Sequence, residues 1–212
     1  MDEAYERFKF NTDGQNSQVY PALAQVPNHL FGICAVATDG AVYAIGDSDC
    51  EFTIMSVSKP FIFALVCKAL GHEQVREKIG VNATWLAFNS LASIEQSPDR
   101  RTNPMVNAGA IATTSLVPAA TLEARWLFIH DGLSRFAGRR LSLNDDVYAC
   151  ASETNHRNQS IARLLQSRGR LYMDPADATD LYTSQCSLNV SARDLAVMGA
   201  TLADGGVNPL TR

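Results

Sequence analysis

Two blocks near the start of the chain carry the apolar pattern of β-strands. Residues 31–38 (FGICAVAT) are apolar and rich in strand-forming types, and residues 41–47 (AVYAIGD) alternate more clearly. Asp39-Gly40 between them is a strong short-range hairpin signal, so 31–47 predicts two antiparallel strands. A hairpin alone is marginally stable, which requires other elements to cover it. The pattern then turns helical. Residues 60–71 (PFIFALVCKALG) are apolar on nearly every side, predicting a buried helix stopped by Gly71. Residues 72–80 predict a short amphipathic helix, 107–117 (NAGAIATTSLV) a tightly packed central one, and 123–138 and 158–169 two more. Before the hairpin, residues 1–25 predict an amphipathic helix, a polar loop (NTDGQNSQ) and a short helix broken at Pro27. Residues 81–104, with Pro98 and Pro104, look irregular, and 173–185 (MDPADATDLYTSQ) look rich in turns. In 190–206, Ser191 and Asp194 form a capping-box start, with Asp in the usual Glu position, and Gly205 a stop. Two strands in front of about seven helices make a lopsided count, and the sheet looks unfinished.

Composition narrows the class. A chain of 212 residues suffices for one large domain or two small ones. Its 46% hydrophobic and 19% charged residues fit a globular protein with a sizeable core. A net charge of −4 gives no electrostatic reason for a nucleic-acid or anionic-membrane partner. No apolar run approaches the roughly 20 residues of a membrane span. The charged start, MDEAYERFKFNTDG, has no apolar stretch of the signal-peptide kind, so a cytoplasmic protein is expected. Cys34, Cys50, Cys67, Cys150 and Cys186 show neither C-x-x-C nor zinc-like spacing and are expected to be buried free thiols.

Residues 52–60 (FTIMSVSKP) hold the candidate chemistry. Ser56 stands three residues before Lys59, a spacing that brings both side chains onto one helical face. A serine hydroxyl needs a neighbouring base to act as a nucleophile, and a buried lysine can be that base because burial disfavours its charged form. A serine at a helix N-terminus also offers its own N–H to an oxyanion. The plainer reading is a helix capped by Ser56 or Ser58, with Pro60 in the first turn and Lys59 in solvent. Asn107 within small residues could present an amide to a ligand, or satisfy a tight helix contact. Residues 152–158 (SETNHRN) read as a polar helix start, and 180–187 (DLYTSQCS) as a loop with an aromatic lid.

Taken in order, LFGICAV, DG, GD, F-x-I-x-S-V-S-K, FNS (88–90), NPMVNAGAI, the RN of HRN, LY-x-x-QCS and DLA-x-MGATLA-x-GG-x-NP resemble the serine-dependent glutaminases, a β-lactamase-like family. The resemblance runs from about residue 19 to 212. It implies hydrolysis of L-glutamine to L-glutamate and ammonia through a γ-glutamyl-serine intermediate. Ser56 corresponds to the nucleophile and Lys59 to its base; Ser56, Asn107, Asn158 and Tyr182 correspond to substrate-binding positions. The family pattern S-E-x-E-x-x-x-R-N places its first Glu at Ala151 and its second at Glu153, the remaining binding candidate. No metal or organic cofactor is implied. A homo-oligomer, dimer or tetramer, is implied.

The implied fold is mixed α/β, a β-lactamase/transpeptidase-like sheet with flanking helices plus a helical region. Residues 1–212 are expected to be a single, C-terminally truncated domain. Residues 1–55 would form the helix and hairpin of its α/β part, and 56–212 its mainly helical part. Family members continue past the end of this sequence with a tyrosine near the serine, a lysine-serine-glycine strand and further sheet strands, which fits the lopsided strand count. Met55 replaces the usual Gln before the nucleophile. Two alternatives follow: a truncated, impaired relative that binds an amino acid or a partner protein, and another acyl-transfer enzyme, a β-lactamase or peptidase, which Ser-x-x-Lys alone permits.

Overall fold

The structure, a computed structural model, describes residues 1–97, 99 and 101–212; Pro98, singled out above, lies outside the described residues. In chain order the elements are α1 (Asp2–Phe8), α2 (Pro21–Ala24), β1 (Gly32–Val36), β2 (Val42–Gly46), β3 (Phe52–Thr53), a 3-10 turn (Met55–Val57), α3 (Ser58–Leu70), α4 (His72–Lys78), α5 (Ala92–Glu95), α6 (Asn107–Ser115), α7 (Leu122–Ala137), α8 (Asp145–Thr154), α9 (His156–Ser167), α10 (Pro175–Cys186), β4 (Asn189–Val190) and α11 (Ala192–Ala203). The fold is mixed α/β and rich in helix, with small sheets. Contacts divide the chain into two compact units. One comprises Met1–Ile54, Leu133–Ala151 and Ser187–Arg212; the other comprises Met55–Gly132 and Ser152–Cys186.

In the first unit β1 and β2 form the expected antiparallel hairpin, in a register pairing Gly32 with Gly46 and Val36 with Val42. The turn is closed by Gly40 N donating to Ala37 O at 3.0 Å, while the Asp39 carboxylate accepts from Ala41 N at 2.9 Å. Gly40 sits at φ +94°, a conformation a side chain would strain. One expectation needs enlarging: β3 and β4 make a second two-stranded antiparallel sheet, extended by Ile54 N donating to Leu188 O. Pairs this short escape a periodicity that needs four or more residues to register.

α11 packs on β1 and opens with the predicted capping box. Asp194 N donates to Ser191 Oγ at 3.2 Å, and Ser191 N donates to Asp194 Oδ2 at 2.7 Å. The same carboxylate accepts two hydrogen bonds from Arg139, at 2.9 and 2.7 Å. Burial alone would push the Asp194 carboxyl up; the hydrogen bonds from Arg139 and Ser191 outweigh it and hold it below the ordinary carboxylate value.

In the second unit α6 packs against α3, α9 and α10. Every residue of α6 is buried. Its small side chains permit close approach, and its hydroxyls are satisfied within the helix, as with Thr113 Oγ1 donating to Gly109 O at 2.7 Å. Gly109 is required here, since a Cβ would meet Asn103 O at 1.9 Å. Ile62, Val66, Ile94, Ile111, Ile161 and Leu165 are each 1% exposed or less and form the apolar core of this unit. α3 ends as expected at Gly71, which sits at φ +88° and donates to Cys67 O.

Residues 173–185 were expected to be turns and the Tyr182 stretch a lid; both give way to α10. Asp174 caps it by accepting from Ala176 N at 2.8 Å, and Pro175 occupies the first helical position. Its buried face is largely polar (Thr179, Tyr182, Thr183, Ser184, Gln185), so hydrophobic periodicity gave no helical signal. α8 was likewise not predicted. The expectation of buried thiols holds for Cys186 alone; the other four cysteines are half-buried, and all five are free. Among the described residues no helix is long and apolar enough to cross a membrane, and no group of three metal-ligating side chains occurs.

Asp194→Ala should lower stability by about 2 kcal/mol, since it removes a helix cap and leaves Arg139 partly unpaired. Because the folded-state value of Asp194 is depressed, its contribution is complete above the unfolded carboxylate value and fades as pH falls through the folded one. Urea titrations of the two proteins should therefore converge in acid; an equal gap at pH 7 and pH 2.5 would refute this account.

Candidate active site

The site is built from five elements of the second unit: the 3-10 turn, α3, α6, α9 and α10. Met55 takes φ +48° and starts the 3-10 turn that carries Ser56. α3 begins only at Ser58, so Ser56 stands two residues ahead of the helix rather than at its first turn. Neither serine caps α3: Val57 holds the cap position with no side-chain hydrogen bond. The spacing still does what it predicts. Ser56 is exposed, Lys59 is 4% exposed, and Lys59 Nζ donates to Ser56 Oγ at 3.0 Å.

A buried ammonium needs acceptors, and α6 supplies the second one. Asn107, its first residue, accepts from Lys59 Nζ at 2.8 Å through Oδ1. Since lysine can only donate, this fixes which end of the amide faces it. Asn107 Nδ2 then donates to Asn158 Oδ1 on α9 at 3.0 Å, and Tyr182 OH on α10 donates to Asn107 Oδ1 at 3.4 Å. Ser56, Lys59, Asn107, Asn158 and Tyr182, expected from distant stretches of sequence, thus form one connected cluster. Glu153 does not join it: it is exposed in the last turn of α8, with no hydrogen bond to the other five. Ala151 is 3% exposed.

Burial pushes the Lys59 amine below the ordinary lysine value, partly opposed by the neighbouring Cys186. Burial also pushes the Cys186 thiol up, to about 11. The cysteine is thereby kept as a neutral thiol, and the unprotonated form of the amine is favoured. The Phe88 ring lies 5.9 Å from Lys59 Nζ and gives the cation an aromatic face. Phe88 belongs to the FNS stretch, whose Asn89 carbonyl accepts from Arg157 Nε at 3.0 Å. Sequence reasoning assigned no role to Phe88 or Gln185, and to Ser58 only that of a helix cap. For Ser58 and Gln185 the available signal was their place beside the Ser-x-x-Lys and LY-x-x-QCS stretches.

An exposed serine hydroxyl thus meets a buried lysine amine at the edge of a small-residue helix in a mixed α/β fold. The glutaminase family profile matches residues 14–212. "Glutaminase 2" of Yersinia pestis is 66% identical over all 212 residues, and the chain spans 62% of that relative's length, a little under two thirds. Among solved structures, the probable glutaminase ybaS superposes with a TM-score of 0.96 at 45% identity, over 99% of this chain and 68% of its own. Mglu in its L-glutamate binding form superposes with a TM-score of 0.92 at 35% identity, over 99% of this chain and 47% of its own. The chain belongs to the glutaminase family, of the serine-dependent, β-lactamase-like type.

Lysine labelled at Cε should show Lys59 titrating below the bulk of the lysines in NMR. Asn107→Asp should raise that value by about 1 unit or more, because a carboxylate within reach stabilises the ammonium. A wild-type Lys59 that titrates together with the surface lysines would contradict the burial argument.

Proposed function

We propose that the chain hydrolyses L-glutamine to L-glutamate and ammonia, with Ser56 as nucleophile and Lys59 as its base. The observation that carries this is the 3.0 Å hydrogen bond from the buried Lys59 amine to the exposed Ser56 hydroxyl. Membership of the glutaminase family supports the choice of substrate. In the first half-reaction, deprotonated Lys59 takes the Ser56 proton as Oγ attacks the carboxamide carbon. The negative charge that develops on the carboxamide oxygen calls for a donor, and the Ser56 N–H is the one adjoining the attacking atom. The C–N bond breaks, the proton passes to the departing nitrogen, and ammonia leaves a γ-glutamyl ester on Ser56. In the second half, a water gives its proton to the amine, its oxygen attacks the ester, and Ser56 is restored as glutamate departs.

Asn107, Asn158 and Tyr182 provide amide and hydroxyl groups for the polar end of the amino acid, the role the family resemblance suggests for them. Glu153 is a more distant candidate, available only if the end of α8 moves. We further propose that residues 1–212 belong to one glutaminase domain, that its setting is cytoplasmic, and that it self-associates as a dimer or tetramer. The exposed side chains of Trp85, Phe10 and Tyr43 are apolar surface that association could cover. Analytical ultracentrifugation of the chain should then report a species larger than the monomer; a monomer at high concentration would refute the assembly.

Purified chain should release ammonia and glutamate from glutamine, and Ser56→Ala or Lys59→Met should lower kcat by at least about a thousandfold. Turnover of a chromogenic β-lactam without turnover of glutamine would overturn the substrate assignment. Glutamine binding in a calorimeter without any hydrolysis would favour a relative that binds but does not react.

A further inference from the structure

Three buried polar side chains near the site take no part in the chemistry above. Ser58, Gln185 and Thr114, on α3, α10 and α6, are each 0% exposed. Thr114 Oγ1 donates to Gln185 Oε1 at 2.9 Å, Gln185 Nε2 donates to Ser58 Oγ at 3.3 Å, and Ser58 Oγ donates to Met55 O at 2.8 Å. The direction of the chain follows the shorter contact at each hydroxyl: Ser58 Oγ is 2.8 Å from Met55 O against 3.3 Å from Gln185, and Thr114 Oγ1 is 2.9 Å from Gln185 Oε1 against 3.1 Å from Ala110 O. Ser58 has one hydroxyl proton, and the Met55 carbonyl takes it. Gln185 must therefore present its NH2 group to Ser58, and its carbonyl accepts from Thr114. The Cys186 thiol lies 3.8 Å from Ser58 Oγ.

The chain of bonds ends on an unusual residue. Met55 sits at φ +48°, where an L side chain costs of order 1 kcal/mol or more unless its surroundings hold it. It immediately precedes Ser56. In a trans peptide the C=O and N–H of one plane point in opposite directions. The bond that pins the Met55 carbonyl toward Ser58 therefore turns the Ser56 N–H the other way, out of the packed interior. Among the described residues, no backbone group outside the 3-10 turn accepts from this N–H.

We infer that Ser58, Gln185 and Thr114 are positioning residues: together they hold the Met55–Ser56 peptide in its strained orientation, so that the Ser56 N–H is aimed and Ser56 Oγ stays on Lys59. The inference rests on the reading of Ser56 as nucleophile. None of the three touches the reacting atoms. They act through one peptide plane, and burial keeps water from the Thr114–Gln185 and Gln185–Ser58 bonds, while the last bond, to Met55 O, is part-buried.

The test uses a fluorophosphonate, which reports an activated serine without requiring glutamine. Ser56 Oγ attacks phosphorus, a P–O bond forms, the P–F bond breaks, fluoride leaves and the serine proton passes to the Lys59 amine. Labelling is located by peptide mapping, and its second-order rate is measured against pH. Ser58→Ala should slow labelling about tenfold or more, as expected when a reacting group is misplaced. Thr114→Val should slow it in the same sense, and Thr114→Ser, which keeps the hydroxyl, should restore the rate. The pH midpoint should be unchanged in all three, because Lys59 keeps its burial and its bond to Asn107. A merely structural network would lower Tm yet leave the labelling rate of folded protein unchanged; that result overturns the positioning role and leaves the nucleophile standing. If Ser58→Ala does not fold, the Thr114→Val and Thr114→Ser pair decides. Failure of the unaltered chain to label at Ser56 overturns the nucleophile and the positioning role together.

Discussion

One buried amine organises the second unit of this protein. An ammonium out of water is costly unless acceptors surround it, and Lys59 has only side-chain oxygens within reach. Ser56 Oγ supplies one and Asn107 Oδ1 the other. Asn107 must then be held at the right height, and Asn158 and Tyr182 hold it from two further helices. The 3-10 turn and four helices are thus bound to each other through a group whose charge the packed helices disfavour by excluding water. The same exclusion lowers the proton affinity of Lys59 and makes it useful as a base. Structural cost and chemical capability have one cause.

Such a cluster requires helices that approach closely without apolar bulk. α6 meets the requirement with Asn, Ala, Gly, Thr and Ser, and with a glycine where the Asn103 carbonyl leaves no room for a Cβ. α10 meets it with threonines that return their hydroxyls to their own backbone, Thr179 to Pro175 O and Thr183 to Thr179 O. These helices can therefore be buried while remaining polar in sequence. The first unit uses the more familiar means: a hairpin turned at Asp39-Gly40, and α11 packed on β1, its first turn closed by a capping box that also receives Arg139.

Several features could be read directly from residues in a row. The hairpin follows from alternation and a turn dipeptide, the end of α3 from Gly71, the start of α11 from Ser191 and Asp194, and the meeting of Ser56 with Lys59 from their spacing. In each case the interacting groups lie within a few positions of one another, so local geometry settles the outcome. α10 was missed for the opposite reason. Its helical character depends on polar side chains being buried by neighbours far along the chain, and no local pattern reveals that. Among its described residues the 81–104 stretch, read as irregular, holds the single short turn of α5 and no longer helix or strand.

By itself the sequence determined that a serine and a lysine share one face, that small residues surround Asn107, and that a glutaminase-like order of motifs runs through most of the chain. The tertiary structure decided which of the distant candidates meet. It gathered Asn107, Asn158 and Tyr182 about Lys59 and left Glu153 in solvent. It also set the left-handed turn at Met55 and the Thr114–Gln185–Ser58 restraint beneath it. The physical reason is range: backbone spacing fixes neighbours within a turn or two, whereas a buried hydrogen-bond network exists only after packing has removed the water that would otherwise satisfy each of its members.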